Sequence, residues 1–105
     1  MIISVCTTTE TREEAKAIAR ACVEAGVVAC AHLDEIESCF FWDGSVQEER
    51  EIRLMLKTTD ESYDQVEQII QTHHSYDEPA IYVLPIPNGS ESYLQWVRDH
   101  SNGTR

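Results

Sequence analysis

The chain of 105 residues is long enough for one domain, and its 42% hydrophobic and 26% charged residues are typical of a globular protein. It has 19 acidic and 8 basic residues, a net charge of -11, which disfavours nucleic acids and anionic membranes because both require clustered Lys and Arg. No stretch approaches the roughly 18 apolar residues of a membrane-spanning helix, and a strand-like segment follows Met1 directly, where a leader would be basic and then apolar. We expect a single, acidic, cytoplasmic domain over residues 1–105.

The first third of the chain predicts a strand, a helix and a second strand. Residues 2–7 have the apolar pattern of a strand. Thr11 and Glu14 have the spacing of a capping box, in which each side chain satisfies a free N–H group at the start of a helix. Gly26 stands where a left-handed residue ends that helix. Residues 27–33 form the second predicted strand.

A long hairpin is the most informative feature of the sequence. The second strand continues, through a kink near Asp34, into an aromatic arm over residues 37–42. Asp43 and Gly44 then favour a type I′ turn, which needs positive φ at both central positions. The arm over residues 45–59, if extended throughout, is roughly twice the modal strand length of about 5–6 residues. So small a domain cannot cover such a ribbon with its own helices, and we expect other copies of the chain to cover it.

The second half of the chain predicts a helix, a strand and a short last helix. Asp60 has the position of a cap for a helix with apolar residues at helical spacing from Tyr63 to Ile70. Residues 81–86 form the next strand, and residues 93–97 lie on the last helix. The order βαββαβ plus a C-terminal helix predicts an α+β, ferredoxin-like split β-α-β sandwich, with one antiparallel sheet and two helices on one face.

Two predicted strands are apolar on both of their sides, at residues 2–6 and 81–84. A strand of this kind usually has both sides covered. The two predicted helices cover only one face of the sheet, so the second face favours contact with neighbouring copies of the chain. This argument indicates more than one subunit and leaves their number open.

The chain resembles the CutA divalent-cation-tolerance family across essentially its whole length. The segments that carry the resemblance are Val5-Cys6-Thr7-Thr8, Val28-Ala29-Cys30-Ala31, Phe41-Trp42-Asp43-Gly44, Glu51-Ile52, Leu56-Lys57-Thr58-Thr59, His73-His74-Ser75-Tyr76-Asp77-Glu78-Pro79-Ala80-Ile81 and Tyr93-Leu94-Gln95-Trp96. The resemblance implies a ferredoxin-like homotrimer that takes part in tolerance of copper and other divalent cations and binds copper. The chain departs from the family at Ser75, where Pro is usual, and at His32, where Asn or Thr is usual. It also departs at Cys39-Phe40-Phe41 in the hairpin, where Tyr or Trp commonly precedes the Trp.

The resemblance places candidate copper ligands at Cys6, His73 and His74. Thiolates and imidazoles are the ligands that Cu(I) and zinc favour. Adjacent residues on a helix point about 100° apart, so two neighbouring His face one metal only if the helix has ended. The alternative makes Cys6 a small core residue and the two His cations at a helix end, where the macrodipole stabilises them. Cys30 and His32, two residues apart on one strand face, form a weaker candidate pair.

Trp42, Glu51, Lys57 and Tyr76 form a second candidate site. Glu51 and Lys57 share a sheet face because their separation is even. A carboxylate, an ammonium, a phenol and an indole around one intersubunit cleft suit binding of a small ligand or proton transfer. The alternative is a polar subunit interface in which Glu51 pairs with a cation of a neighbour.

The sequence contains no catalytic motif that we recognise. It has no G-x-S-x-G, no H-E-x-x-H and no Gly-rich phosphate loop, so we expect a protein that is not an enzyme. An alternative function is a trimeric small-molecule-binding signalling module similar to the PII proteins, which share the ferredoxin-like fold. A partner protein other than the chain itself is unknown from the sequence.

Overall fold

A four-stranded antiparallel sheet organises the structure, a computed structural model that describes all residues 1–105. The elements in chain order are β1 (Ile2–Thr9), α1 (Arg12–Glu24), β2 (Cys30–Trp42), β3 (Ser45–Thr59), a short 3-10 turn (Asp60–Ser62), α2 (Tyr63–His73), β4 (Ile81–Pro85) and α3 (Glu91–Asp99). The sheet order is β2-β3-β1-β4, and every neighbouring pair is antiparallel. This topology confirms the predicted ferredoxin-like fold. None of the helices combines the length and apolar character needed to cross a membrane.

Helix α1 begins and ends at the predicted residues, but its capping box is only half formed. Thr11 Oγ1 accepts a hydrogen bond from the Glu14 N–H at 3.2 Å, and Gly26 follows the helix with φ +77°. The Glu14 carboxylate accepts hydrogen bonds from the backbone N–H and the hydroxyl of Ser75, with no bond back to Thr11. The predicted local cap is therefore replaced by a link between the start of α1 and the segment after α2.

The start of α2 also differs from the prediction. The Asp60 carboxylate accepts a hydrogen bond from the N-terminal amine of Met1 at 3.1 Å and makes no helix cap. A 3-10 turn precedes the α-helix instead, and Ser62 is buried there with its hydroxyl donating to the Ser101 carbonyl at 2.6 Å. The opposite charge at Met1 provides a stronger partner for this carboxylate than a backbone N–H group does.

The hairpin of β2 and β3 keeps one register along its whole length, from Cys30 opposite Lys57 to Trp42 opposite Ser45. Its turn has positive φ at Asp43 (50°) and Gly44 (80°), as a type I′ turn requires. No extra residue interrupts the pairing near Asp34, so the kink predicted there involves no β-bulge. The two strands therefore pair without interruption along the hairpin. The longest dimension of the molecule is 44 Å.

The main core lies between the sheet and the helices α1 and α2. Val5, Leu54 and Leu56 project from the sheet and pack with Ile18 of α1 and Ile70 of α2, and all five side chains are fully buried. Alternation along β1 and β3 makes this one face of the sheet. Its burial by two helices is what the predicted fold requires.

A smaller core corrects the expectation that helices cover only one face. Ile2 of β1 and Ala29 pack with Val97 of α3, and Leu94 of α3 packs beside them. Ile2 lies next to Ile3 of the main core, so α3 covers one end of the opposite face. The uncovered apolar surface is consequently smaller than the sequence indicated.

Two exposed apolar regions lie on the strands, and Tyr93 and Trp96 of α3 are also exposed. We call Phe41, Trp42 and Val46 the hairpin tip; Phe41 is 74% and Val46 67% exposed, and these two residues are cross-strand partners. We call Tyr82, Val83 and Leu84 of the edge strand β4 the β4 patch, and all three are exposed. Large side chains in clusters of this kind on a small domain are typical of surfaces that contact another protein.

Candidate functional site

The structure places the three predicted copper ligands in different environments. Cys6 is fully buried in β1, on the sheet face opposite α1 and α2, because its neighbour Val5 belongs to the helix-covered core. Its Sγ lies 3.6 Å from Ser4 Oγ. His73 and His74 are at the end of α2. Within one chain, no group of three or more His, Cys, Asp or Glu side chains is positioned to hold a metal ion.

His74 uses both of its ring nitrogens inside the protein. Its side chain is fully buried, Nε2 lies 2.7 Å from the Thr8 carbonyl, and Nδ1 accepts a hydrogen bond from the Tyr76 N–H at 3.1 Å. This pattern requires the tautomer with hydrogen on Nε2, which donates to Thr8. The ring therefore has no free nitrogen for a metal and instead fixes the segment that carries Tyr76.

His73 has one ring nitrogen available. Nδ1 lies 3.0 Å from the Ile69 carbonyl and donates to it, an interaction that is common for His at a helix end. Nε2 makes no hydrogen bond and the residue is exposed. His100 makes the same contact from Nδ1 to Trp96 at the end of α3, at 2.8 Å. Of the three predicted ligands, His73 is thus the one with an accessible donor atom.

The weaker predicted pair of Cys30 and His32 is engaged with separate partners. Cys30 Sγ lies 3.5 Å from the Tyr93 hydroxyl of α3. His32 Nδ1 lies 2.8 Å from Lys57 Nζ, so the ammonium donates to the imidazole. Since the two side chains contact different groups, the structure gives the pair no shared ligand position.

A cleft of about 880 Å³ lies between the hairpin and the segment that joins α2 to β4. Trp42, Glu51 and Tyr76 line it, as three of the four residues predicted for an intersubunit cleft. Lys57, the fourth, is not part of its lining. Lys57 lies at the other end of β3, six residues from Glu51 and beside His32. The cleft therefore has no ammonium group from Lys57.

Glu51 and Tyr76 form the polar centre of the cleft. The Tyr76 hydroxyl donates a hydrogen bond of 3.0 Å to Glu51 Oε2, and Glu51 is only 7% exposed although it lies on the long hairpin. Burial raises the pKa of Tyr76 above its ordinary value of 10.0, and the hydrogen bond to Glu51 and the negative charge of Glu51 raise it further. The phenol therefore keeps its proton at neutral pH, and its hydrogen bond keeps the Glu51 carboxylate oriented.

Sequence reasoning missed the other charged residues of the cleft. Carboxylates from several segments line it together with Glu51, namely Glu10, Asp43, Glu49, Asp77 and Glu78. No Lys, Arg or His is among its lining residues. One signal was available, because Asp77 and Glu78 directly follow Tyr76. The net charge of -11 indicated an acidic surface but not its location.

The raised pKa of Tyr76 predicts a loss of stability at alkaline pH. The folded state binds the phenolic proton more tightly than the unfolded state, so this contribution is complete below pH 10 and is lost as pH rises through the folded-state pKa. We expect the free energy of unfolding, measured in urea, to fall as pH rises above about 10, and to fall less in Tyr76→Phe. An equal fall in both proteins would contradict the assignment.

Comparison with known proteins relates most of the chain to one family. The family described as "CutA1 divalent ion tolerance protein" matches residues 3–100. The chain is 34% identical to the divalent-cation tolerance protein CutA of Thermus thermophilus over 95 residues, which are 90% of this chain and 92% of the relative. The solved structure of a T. thermophilus divalent cation tolerance protein superposes with a TM-score of 0.93 at 33% identity, covering 97% of this chain and all of the other. The periplasmic divalent cation tolerance protein CutA of Archaeoglobus fulgidus superposes with a TM-score of 0.94 at 29% identity, with the same coverage.

Proposed function

Because the chain belongs to the CutA1 divalent ion tolerance family, we propose that it acts in divalent-cation tolerance as a homotrimer that binds copper or a similar ion. The observation that carries this proposal is the apolar surface that a single chain leaves in water, at the hairpin tip and the β4 patch. The family name supports the role in cation tolerance. The choice of copper as the ion and the number of three subunits go beyond what the family name describes.

Self-association is supported by the cost of leaving the hairpin tip exposed. Phe41 and Val46 form a cross-strand pair beside the hairpin turn, far along the chain from both α1 and α2. Burial of a large apolar side chain stabilises a protein by about 1.5–3 kcal/mol. Contacts of the hairpin tip and the β4 patch with other copies bury these side chains and also protect the edge strand from unwanted pairing.

Copper binding is supported by the free Nε2 of His73. One imidazole is a weak site alone, so the proposed ion needs further ligands. A single chain does not supply them in one group, and we propose that contact between subunits does. Cys6 is the predicted soft ligand and lies buried in β1, whereas His74 acts by holding the backbone of Thr8 and Tyr76.

Isothermal titration with Cu(I), under anaerobic conditions, and with Cu(II) tests the copper ligands. We expect His73→Ala to weaken binding by about tenfold or more, since loss of one ligand of a metal site removes a large share of its affinity. His100→Ala is the matched control, because His100 makes the same helix-end hydrogen bond as His73. Cys6→Ser tests the thiol in the same way. Equal affinity in the wild type and His73→Ala would reject His73 as a ligand.

The cleft favours a second candidate function, a small-molecule-binding signalling module. Its volume of about 880 Å³ is within the range of about 300–1,000 Å³ that is common for small-molecule sites. Its charged lining is entirely acidic, so phosphate-bearing ligands such as nucleotides are repelled. A thermal-shift screen of metabolites and metal ions separates the two candidates. Stabilisation by metal ions alone would leave only the first.

A further inference from the structure

Two Asn-Gly pairs occur in the sequence, Asn88-Gly89 between β4 and α3 and Asn102-Gly103 after α3. An asparagine before a glycine is prone to deamidation, because the next backbone nitrogen can attack the side-chain amide and glycine has no Cβ to obstruct the approach. A residue with a hydroxyl group follows each pair, so the two local sequences are alike. A large difference in their reactivity must therefore come from the fold.

The chemistry of deamidation defines what the fold must allow. The glycine nitrogen bonds to Cγ of the asparagine and loses its proton to water, while ammonia leaves from Cγ and a succinimide ring remains. Water then opens the ring at one of its two carbonyls and gives aspartate or isoaspartate, in which the main chain runs through Cγ. The reaction needs a free side-chain amide and a free glycine N–H that the backbone can bring into contact.

The fold engages both reacting groups of Asn102-Gly103. The Gly103 N–H donates to the Gly26 carbonyl at 2.8 Å. Asn102 Oδ1 accepts hydrogen bonds from the N–H of Thr104 at 3.1 Å and from its hydroxyl at 2.6 Å. Reaction at this pair requires these hydrogen bonds to open first, which lowers the population of chains that can react.

The fold leaves both reacting groups of Asn88-Gly89 free. The two residues are exposed and lie outside the helices and strands. The Asn88 side chain and the Gly89 N–H make no hydrogen bond, and the nearest bonds along the chain are at Ile86 and Ser90. The pair also lies outside the hairpin tip and the β4 patch, the surfaces proposed to contact other copies.

The position of Gly89 gives the modification a structural consequence. A Cβ on Gly89 would lie 3.2 Å from Leu94 Cδ2, so the backbone of this glycine packs closely on Leu94. Leu94 packs in turn against the smaller core of Ile2, Ala29 and Val97. Isoaspartate lengthens the main chain by one carbon directly before Gly89 and displaces it from this contact, whereas aspartate keeps the backbone unchanged.

From these observations we propose that Asn88-Gly89 is a site of spontaneous deamidation in the folded protein and that isoaspartate at this position weakens the packing of α3 on the sheet. Asn102-Gly103 is protected by its hydrogen bonds. The reaction consumes only water and releases ammonia. The proposal is independent of copper binding and of subunit association.

Peptide mapping by mass spectrometry during incubation of the full chain at mildly alkaline pH tests the site. We expect Asn88 to convert at least about tenfold faster than Asn102 in the folded protein, because only Asn102 needs hydrogen bonds to open. In concentrated urea the two rates should agree within about threefold, since neither pair is then protected. Comparable rates in the folded protein would overturn the proposal. A tenfold difference that persisted in urea would also overturn it, because the difference would not depend on the fold.

Gly89→Ala tests the attacking nitrogen, and we expect it to slow conversion of Asn88 by about tenfold or more, because the added Cβ obstructs the approach. An unchanged rate would contradict attack by this nitrogen. Circular dichroism reports whether the variant folds, and the comparison of Asn88 with Asn102 needs no variant.

Thermal unfolding tests the consequence for α3. The deamidated fraction, separated by its added charge and shown by fragmentation to contain isoaspartate, is compared with Asn88→Asp, which has the same charge and a normal backbone. At equal protein concentration we expect the midpoint of the deamidated fraction to be lower by about 4 °C or more. Equal midpoints would overturn the proposed weakening of α3.

Discussion

Phe41→Asp is expected to separate the proposed trimer into single chains. Phe41 is the most exposed large apolar side chain of the hairpin tip, at 74%, and its cross-strand partner Val46 is 67% exposed. A charge at this position removes about 1.5–3 kcal/mol of apolar burial per subunit and adds the cost of desolvating a carboxylate. We expect the association constant to fall by at least about 100-fold, measured by light scattering on a dilution series.

Gln71→Asp serves as the control for Phe41→Asp. Gln71 is exposed on α2 and its side chain forms no hydrogen bond, so the substitution adds the same charge without removing apolar surface. We expect its association to match the wild type. If Phe41→Asp also retained the wild-type mass at every concentration, the hairpin tip would not be a subunit contact.

His74→Ala is expected to destabilise the fold far more than His73→Ala. The buried His74 ring satisfies the Thr8 carbonyl at 2.7 Å and the Tyr76 N–H at 3.1 Å. Its removal leaves a cavity and two backbone groups without partners, and we expect a loss of about 2–4 kcal/mol in the free energy of unfolding. For His73→Ala, which loses one exposed hydrogen bond, we expect a loss below about 1 kcal/mol.

Urea denaturation at one fixed protein concentration measures both His variants, because the stability of an associating protein depends on concentration. The two residues are adjacent and change to the same side chain, so each is the control for the other. Comparable losses in the two variants would contradict the assigned hydrogen bonds. Intact copper binding in His74→Ala would agree with its role in fixing the backbone.

Local patterns were sufficient to predict most of the fold. The Asp43-Gly44 turn and the alternation along residues 51–58 fix the hairpin register, because the two arms pair outward from the turn. The position of α3 was not predictable in this way, since the contact of Val97 with Ile2 joins the two ends of the chain. The Glu14 carboxylate was assigned to a local cap for the same reason, although Ser75 is its partner.

The candidate sites show the same limit. Even spacing correctly placed Glu51 and Lys57 on one strand face, but six residues along a strand span about 20 Å, so Lys57 is remote from the cleft. Adjacent His residues gave no sign of which one is buried, because that depends on the carbonyl of Thr8 in β1. Prediction of a shared face is reliable from sequence, whereas prediction of a shared site requires the distances along and between elements.

The mass of the wild-type protein in dilute solution tests the central claim, that copies of the chain associate to cover the hairpin tip and the β4 patch. Light scattering or sedimentation on folded protein measures it directly. We predict three times the 12.0 kDa mass of one chain. A folded species that stays at 12.0 kDa at all concentrations would contradict the claim, and the proposed copper site between subunits would fail with it.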